Sequence, residues 1–303
     1  MSHSAPSTDG LRPSLAELIG LRERVRGWPP ATRGAVGIGP VLAPLRGRGM
    51  EYAESRPYTP GDDARHIDWR LTARSGKPHT KLFQAERERV AVLVADTAPE
   101  LYFGTRVRFK SVQAARIGAI LTWAAQRRGD RVGALRGTDG EPPIRPQSGQ
   151  RGVLRVLDAL VRWYAQPPTD DRGLASALDT AALALPTGAC VTVLAVASSL
   201  VGVPDGRLAM LAQRHDLRAV LLADPLELDP PRERLPFAIE QTRIEPDFAA
   251  ASTRIRWRQA FAGLRDAQAQ RLQALGAHAC LLRNDADDDA LMAALLDPRR
   301  VAA

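Results

Sequence analysis

The chain has 303 residues, of which 45% are hydrophobic and 25% are charged, and its formal net charge is +8. This composition is ordinary for a globular protein, and it excludes an intrinsically disordered chain with too few apolar residues to form a core. The positive charge leaves nucleic-acid binding open, because arginine contacts phosphate well. However, the arginines are spread from Arg12 to Arg300 among acidic residues, whereas a nucleic-acid footprint clusters, so no nucleic-acid partner is expected.

The first part of the chain contains one predicted helix and a long segment rich in turns. Residues 1–13 are small and polar and are predicted to be disordered. Ser14 and Glu17 have the spacing of a capping box that begins a helix, and Trp28-Pro29-Pro30 ends it. We therefore expect a disordered tail and an N-terminal helix within residues 1–45, followed by short strands and turns over residues 46–88.

From residue 89 to residue 303 the pattern alternates between apolar strands and amphipathic helices. The predicted strands are Val90–Ala95, Arg131–Leu135, Val191–Val196, Ala219–Ala223 and Ala277–Leu282. The predicted helices are Val107–Arg128, Val153–Tyr164, Leu174–Leu185, Gly206–His215, Phe248–Leu275 and Asp287–Leu296. This alternation predicts an α/β fold with a Rossmann-like, mostly parallel sheet and helices on both of its faces.

Two features bear on the compartment. The stretch from Thr180 to Pro204 has no charged residue and is long enough to span a bilayer. Pro186-Thr187-Gly188 interrupts it with a turn signal, so we predict a helix, a turn and a buried strand rather than a transmembrane segment. Cys190 and Cys280 lie in predicted buried strands, and no apolar signal segment begins the chain, so reduced thiols and a cytoplasmic location are expected.

An acidic residue directly follows the first buried strand, in the run Asp96-Thr97-Ala98-Pro99-Glu100. Ligands of parallel α/β sheets bind at the carboxyl ends of the strands. A loop of the pattern Asp-x-Ser-x-Ser offers one carboxylate and two hydroxyls to Mg²⁺, which prefers oxygen ligands. Here Ala98 has no side-chain oxygen, and Glu100 replaces the second hydroxyl.

A distinctive signature precedes this strand. It consists of Gly47-Arg48-Gly49-Met50-Glu51, then Arg-Pro-Tyr-Thr-Pro-Gly-Asp-Asp-Ala-Arg-His-Ile-Asp-Trp over residues 56–69, then Thr72-Ala73-Arg74. These runs resemble those of domain-of-unknown-function family fifty-eight. The resemblance continues through Lys110 and Asn284-Asp285. It covers most of the chain after the N-terminal helix.

The resemblance implies a von Willebrand factor A-like domain with the signature segment lying against it. Proteins of that family are thought to act beside MoxR-type AAA+ ATPases, as adaptors or assembly partners rather than as enzymes. Related A domains bind partners through a metal held at the strand-end loop. The resemblance therefore implies a non-catalytic protein-binding chain whose partner is a MoxR-type ATPase. No cofactor is expected for this chain.

The strand-end positions of this chain depart from that metal-binding pattern. Where the pattern has a threonine near Gly173, only Thr169 is available, and Ser198 stands where an acidic residue would follow the Val191–Val196 strand. Asp96, Glu100 and Ser198 thus form a degenerate metal site that we expect to be unoccupied, with Mg²⁺ as the ion it would hold. The alternative role of Asp96 is to cap the turn that follows it, without a metal.

The signature residues admit three roles. Asp62, Asp63, His66 and Asp68 include the ligand types of a hydrolytic metal, and His66 and Asp68 share one side if the segment is a strand. Interleaved arginines instead favour an internal ion-pair network that pins the segment onto the A-like domain, or a partner contact. The residues assigned to partner binding or to structure are Arg56, Tyr58, Pro60, Gly61, Asp62, Asp63, Arg65, Asp68 and Trp69.

No catalytic residue is assigned, because the chain lacks the sequence patterns G-x-x-x-x-G-K-[ST], H-E-x-x-H and G-x-S-x-G. The leading hypothesis is a non-catalytic protein-binding adaptor. One alternative is a divalent-metal-dependent binding module, or a metal-dependent hydrolase that uses the Asp62–Asp68 cluster. Nucleic-acid binding is the second alternative.

Overall fold

The computed structural model describes residues 10–29, 50–85, 89–137, 141–168, 173–239 and 242–296. These residues divide into two compact units. Residues 50–85 form one, which we call the signature unit. Residues 10–29 together with the described residues from 89 to 296 form the other, which we call the α/β unit.

The helices are α1 (Leu15–Gly27), α2 (Trp69–Ser75), α3 (Lys110–Arg127), α4 (Gly149–Trp163), α5 (Leu174–Ala184), α6 (Ala197–Val201), α7 (Asp205–Arg214), α8 (Pro225–Leu228), α9 (Ala251–Arg258), α10 (Leu264–Ala274) and α11 (Asp288–Leu296). The strands are β1 (Met50–Pro57), β2 (His79–Ala85), β3 (Val90–Ala95), β4 (Arg131–Arg136), β5 (Ile144–Gln147), β6 (Cys190–Ala195), β7 (Asp216–Ala223), β8 (Phe237–Ile239), β9 (Thr242–Ile244) and β10 (His278–Arg283). Short 3-10 turns cover Ala64–His66 and Pro99–Tyr102, and a π-helical turn, Gln259–Gly263, joins α9 to α10.

The α/β unit is built on a sheet of six strands in the order β10-β7-β6-β3-β4-β5. All neighbours are parallel except β5, which is antiparallel to β4. Alternate residues of β3 enter opposite cores: Leu93 packs with α1, α3, α4 and α11, and Val92 and Val94 pack with α5, α7 and α10. The prediction of a mostly parallel sheet surrounded by helices is therefore confirmed.

Helix α1 belongs to the α/β unit, a placement that the sequence left open. Leu18, Leu21 and Val25 are buried in the core beside α3. The indole Nε1 of Trp123 donates to the carbonyl oxygen of Leu18 at 3.0 Å, which satisfies both buried polar groups. The helix is thus part of the core and covers one face of α3.

The predicted capping box of α1 is wrong. The Ser14 side chain makes no capping hydrogen bond, and Glu17 forms an ion pair with Arg116 of α3 instead. Arg116 is 6% exposed and also pairs with Asp288 of α11. An unpaired buried guanidinium would be strongly unfavourable, whereas an exposed helix end can bond to water instead of a side-chain cap. The Glu17 carboxylate therefore pairs with Arg116 rather than with the helix end.

The predicted disorder of residues 1–13 is wrong for residues 10–13. The Gly10 carbonyl oxygen accepts a hydrogen bond from the Phe109 amide at 2.8 Å, and Pro13 is buried. Residues 1–9, and the boundary that we predicted between residues 45 and 46, lie outside the described residues.

The charge-free stretch folds as predicted, as helix α5, a turn around Gly188 and strand β6. Within the described ranges, no helix combines the length and the apolar character that crossing a membrane needs. Cys190 and Cys280 are free, and they lie on β6 and β10 with β7 between them.

The signature unit pairs β1 with β2 in an antiparallel ladder, and the chain between them forms a 3-10 turn and α2. His66 and Asp68 do not share one side of a strand, because His66 ends the 3-10 turn and Asp68 caps α2 by accepting the Leu71 amide at 3.1 Å. Gly76, with φ +69°, ends the helix in the left-handed region.

A leucine pair on α1 tests whether this helix is part of the core. Leu18 is fully buried, whereas Leu15 is 37% exposed. We expect Leu18→Ala to lower the free energy of unfolding by about 2–5 kcal/mol, because it removes buried apolar surface and leaves a cavity. Leu15→Ala, the matched control, should change it by less than about 1 kcal/mol. Urea unfolding followed by circular dichroism measures both, and equal effects would contradict the burial of α1.

Candidate functional site

The loops after β3, β6 and β7 enclose a cavity of about 280 Å³ at the carboxyl edge of the sheet, which we call the edge pocket. Glu100 and Ser198, two of the predicted metal ligands, both line it. Its other polar side chains are those of Lys110 and Glu227, and Phe261 from the π-helical turn adds an aromatic wall. The strand order therefore brings two of the three predicted ligands to one cavity.

Asp96, the third predicted ligand, is 2% exposed and lies at the end of β3. One carboxylate oxygen accepts the Ala98 amide at 3.0 Å, and the other accepts the Val196 amide at 3.5 Å. The side chain thus caps its own turn and ties the loop after β3 to the loop after β6. The residues that line the edge pocket do not include Asp96.

A buried ion pair forms one side of the edge pocket. The Nζ atom of Lys110 lies 2.5 Å from Glu227 Oε1, and the two side chains are 3% and 11% exposed. The ammonium also lies 5.6 Å from the centre of the Phe103 ring, in the range of a cation–π contact. The second carboxylate oxygen of Glu227 accepts the Asp224 amide at 2.8 Å, so both partners are fixed.

Asp224, which follows β7, is completely buried and holds three loops together. Its carboxylate accepts the Thr105 amide at 2.9 Å, the Thr105 hydroxyl at 2.5 Å and the Asn284 amide group at 2.8 Å. These partners come from the loops after β3 and β10. Asp224 and the Lys110–Glu227 pair are not among the site residues predicted from the sequence. An aspartate directly after a buried strand is the signal that could have found Asp224, as it found Asp96.

The charged side chains at the carboxyl edge of the sheet form hydrogen bonds and ion pairs that join the strand-end loops. Within the described residues, no cluster of three or more His, Cys, Asp or Glu side chains is placed to hold a metal ion. Thr169, the remaining position of the expected ligand pattern, lies outside the described residues. Chemically, the edge pocket offers an exposed carboxylate at Glu100, an exposed hydroxyl at Ser198 and an apolar wall.

In the signature unit, Asp62 is the centre of a tight turn. Arg56 donates to Asp62 Oδ1 at 2.7 Å, and the Thr59 amide donates to Oδ2 at 3.0 Å. The Tyr58 hydroxyl lies 3.4 Å from the Asp62 carbonyl oxygen. Gly61, at φ +111°, occupies a backbone region that side chains disfavour. The turn that contains Pro60 is therefore fixed by bonds between close neighbours in sequence.

The other two signature carboxylates have different partners. Asp63 accepts the side chain and the amide of Arg65, each at 3.0 Å at its closest. The Ser55 hydroxyl donates to Asp68 Oδ2 at 2.9 Å. Asp62, Asp63 and Asp68 thus serve as separate local anchors within the signature unit.

These contacts lower the pKa of the carboxylates because they favour the charged form. The side chain and then the amide of Arg65 lower the pKa of Asp63 to about 2. The pKa of Asp62 is lowered chiefly by the Thr59 amide and further by Arg56. The pKa of Asp68 is lowered chiefly by the Leu71 amide. All three side chains are therefore ionised at neutral pH.

Residues 54–268 match the model of a family described as "Protein of unknown function DUF58". The chain belongs to this family. The match spans more than half of the chain and includes most of the signature unit and the strand-end loops after β3, β6 and β7. The family resemblance inferred from the signature is therefore confirmed.

Individual proteins and a solved structure are also similar to this chain. Uncharacterised proteins of Mycobacterium bovis and Mycobacterium tuberculosis are each 32% identical over 195 residues, which is 64% of this chain and 61% of the relative. The matched part thus spans about 61% of the length of these relatives. An aerotolerance-related membrane protein from Bacteroides fragilis, solved with multiple mutations to serine, gives a TM-score of 0.42 at 13% identity, covering 70% of this chain and 99% of that one.

Titration of Asp63 tests whether Arg65 lowers the pKa of this carboxylate. Because the folded-state pKa is depressed, the Asp63–Arg65 pair stabilises the fold above the unfolded pKa of about 4, and this contribution is lost as the pH falls toward about 2. We expect Arg65→Gln to raise the pKa of Asp63, measured from the carboxyl ¹³C shift by NMR. Arg74→Gln is the control and should leave it unchanged. An unchanged pKa in Arg65→Gln would contradict the assignment of its cause.

The degenerate metal site can be tested by calorimetry. We expect no binding heat with millimolar Mg²⁺, because the Asp96 carboxylate already accepts two backbone amides and the Lys110 ammonium lines the same pocket as Glu100. The parallel titration of Asp96→Asn is the control. Saturable heat in the unmodified chain that disappears in Asp96→Asn would establish the metal site and contradict this expectation.

Proposed function

We propose that this chain is a non-catalytic protein-binding adaptor or assembly factor that works in the cytoplasm with a MoxR-type AAA+ ATPase. The observation that carries the proposal is that the charged side chains at the carboxyl edge of the sheet are bonded to other parts of the protein. Asp96, Lys110 and Asp224 each bond to other parts of the protein and join strand-end loops. A general acid, base or nucleophile must be available to its substrate, whereas these groups are committed to architecture.

We also propose that the α/β unit is von Willebrand factor A-like. The order of its sheet supports this. The chain begins at the inner strand β3 and runs outward through β4 and β5. It then returns to the other side of β3 and runs outward through β6, β7 and β10. This doubly wound order places a switch point between β3 and β6, beside the edge pocket.

The signature unit supports a role in binding. Its turn at Asp62 is fixed by a bidentate use of the carboxylate, so the surrounding surface is held in one geometry before a partner arrives. Preorganised surfaces lose less conformational freedom on association. Trp69, which is 70% exposed, stands at the start of the helix that follows. The identity of the partner, a MoxR-type ATPase, comes from the family resemblance.

Binding to the purified MoxR-type ATPase of the source organism tests this proposal. We expect saturable binding by biolayer interferometry. Combining Arg56→Gln with Asp62→Asn should weaken binding by about tenfold, which corresponds to about 1.4 kcal/mol, because the turn loses its fixed geometry. Arg243→Gln breaks an exposed pair of similar length, to Glu245 at 2.9 Å in the α/β unit, and is the matched control.

Two outcomes would contradict the proposal. The first is the absence of saturable binding at the highest concentration that stays in solution. The second is binding that is equal in the unmodified chain, the double variant and the Arg243→Gln control, which would remove the signature turn from the interface.

A further inference from the structure

Helix α2 carries an exposed face of unusual composition. Trp69 and Ala73 are exposed and four residues apart, as are Arg70 and Arg74, so they lie on adjoining strips of one side of the helix. The other side faces the β-ladder, where Thr72 Oγ1 accepts the His79 amide at 3.0 Å. We call the exposed side, made of Trp69, Arg70, Ala73 and Arg74, the Trp–Arg face.

The tryptophan of this face is the most exposed of the tryptophans whose burial the structure gives. Trp69 is 70% exposed, whereas Trp123 and Trp163 of the α/β unit are almost completely buried. A large aromatic ring gains free energy by leaving water, and tryptophan, with one apolar face and one polar N–H, is enriched at protein interfaces. Tryptophan and arginine are also the residues most enriched among the energetic centres of protein interfaces.

The arginines of the face lack internal counter-charges. Within the described residues, Arg70 and Arg74 have no ion pair with a carboxylate, and neither has Lys77, which is exposed just beyond the helix. The nearby acids are committed elsewhere: Asp62 pairs with Arg56 and Asp63 with Arg65. The face therefore presents positive charge that pairs with no carboxylate among the described side chains of its own unit.

We propose that the Trp–Arg face docks an acidic segment of a partner protein. Trp69 supplies the apolar anchor, and Arg70 and Arg74, on the adjoining strip of the helix, bind carboxylates of the segment. This inference rests on the proposed function of the chain as a protein-binding module, and it adds the chemistry of the partner. Electrostatic complementarity of this kind raises the association rate and makes it sensitive to salt.

An acidic protein segment fits this face better than a nucleic acid does. The described residues of the signature unit carry nearly balanced charge, with Arg56, Arg65, Arg70, Arg74, Lys77 and Lys81 set against Glu51, Glu54, Asp62, Asp63 and Asp68. Nucleic-acid surfaces have a broad positive excess and repeat their aromatic stacking platforms along the strand. Here the exposed cations of the signature unit that have no ion pair in the described residues, Arg70, Arg74 and Lys77, lie on one helix and just beyond its end, around a single exposed ring.

The experiment uses the full chain and fluorescence anisotropy with three labelled probes. These are a peptide of alternating glutamate and leucine, the same peptide with lysine for glutamate, and a single-stranded oligonucleotide. The variants are Trp69→Ala and the double charge reversal of Arg70→Glu with Arg74→Glu. The matched control reverses Arg232→Glu and Arg256→Glu, which are exposed and without ion pairs in the described part of the α/β unit. Binding of the MoxR-type ATPase is measured in parallel.

We expect the acidic peptide to bind and the lysine peptide not to bind. Trp69→Ala should weaken binding of the acidic peptide by about tenfold, and the reversal of Arg70 and Arg74 should weaken it more and remove its salt dependence. The control reversal should bind like the unmodified chain. Far-UV circular dichroism checks that every variant is folded.

Three results would overturn the inference. They are equal binding of the acidic peptide by all variants, binding of the two peptides alike, and tighter binding of the oligonucleotide than of the acidic peptide at 0.15 M salt. If the ATPase binds equally to all variants, the face is not its docking surface while the adaptor function stands. If the acidic peptide binds through the face and the ATPase does not bind, the inference holds and the proposed ATPase partner is wrong.

Discussion

Burial of the central strands on both faces is the constraint on which the α/β unit depends. Leu93 of β3 enters one core and Val94 enters the other, so neither face of this central strand meets water. Helices must then cover both faces, and α1 is recruited as one of them. Polar groups are excluded from the middle of such a sheet. They collect where the strands end, and this is the reason that the edge pocket is the place where polar side chains meet.

At the carboxyl edge of the sheet, one buried charged side chain requires another of opposite charge. Lys110 is nearly inaccessible to water, and a lone buried ammonium would be strongly unfavourable, so Glu227 must accompany it. Asp224 is satisfied by donors from three loops. Each charge therefore has a structural reason to be present, and together they set the relative positions of the loops after β3, β7 and β10. An adaptor surface benefits from loops held in this way, because fewer conformations are lost on binding.

The signature unit is organised by a different principle. Its bonds are short in sequence: Arg56 and Asp62 are six residues apart, and Asp63 and Arg65 are two apart. A two-stranded ladder buries little apolar surface. Local polar bonds therefore contribute a larger share of the stability of the signature unit than of the α/β unit. This arrangement leaves the outer side of α2 available, with Trp69 exposed and its neighbouring arginines unpaired.

The sequence by itself determined the five parallel strands of the sheet but not the antiparallel edge strand β5. It also determined the order of helix, turn and strand from α5 to β6, and the strand-end position of Asp96. These follow from apolar periodicity and turn residues, which act over a few positions. It did not determine the Lys110–Glu227 pair, whose members are 117 residues apart, because only the strand order brings their loops together. It also assigned Glu17 to a local cap of α1. The tertiary structure gave Glu17 to Arg116 instead, because the buried guanidinium of Arg116 requires a counter-charge and this requirement outweighed the local capping preference.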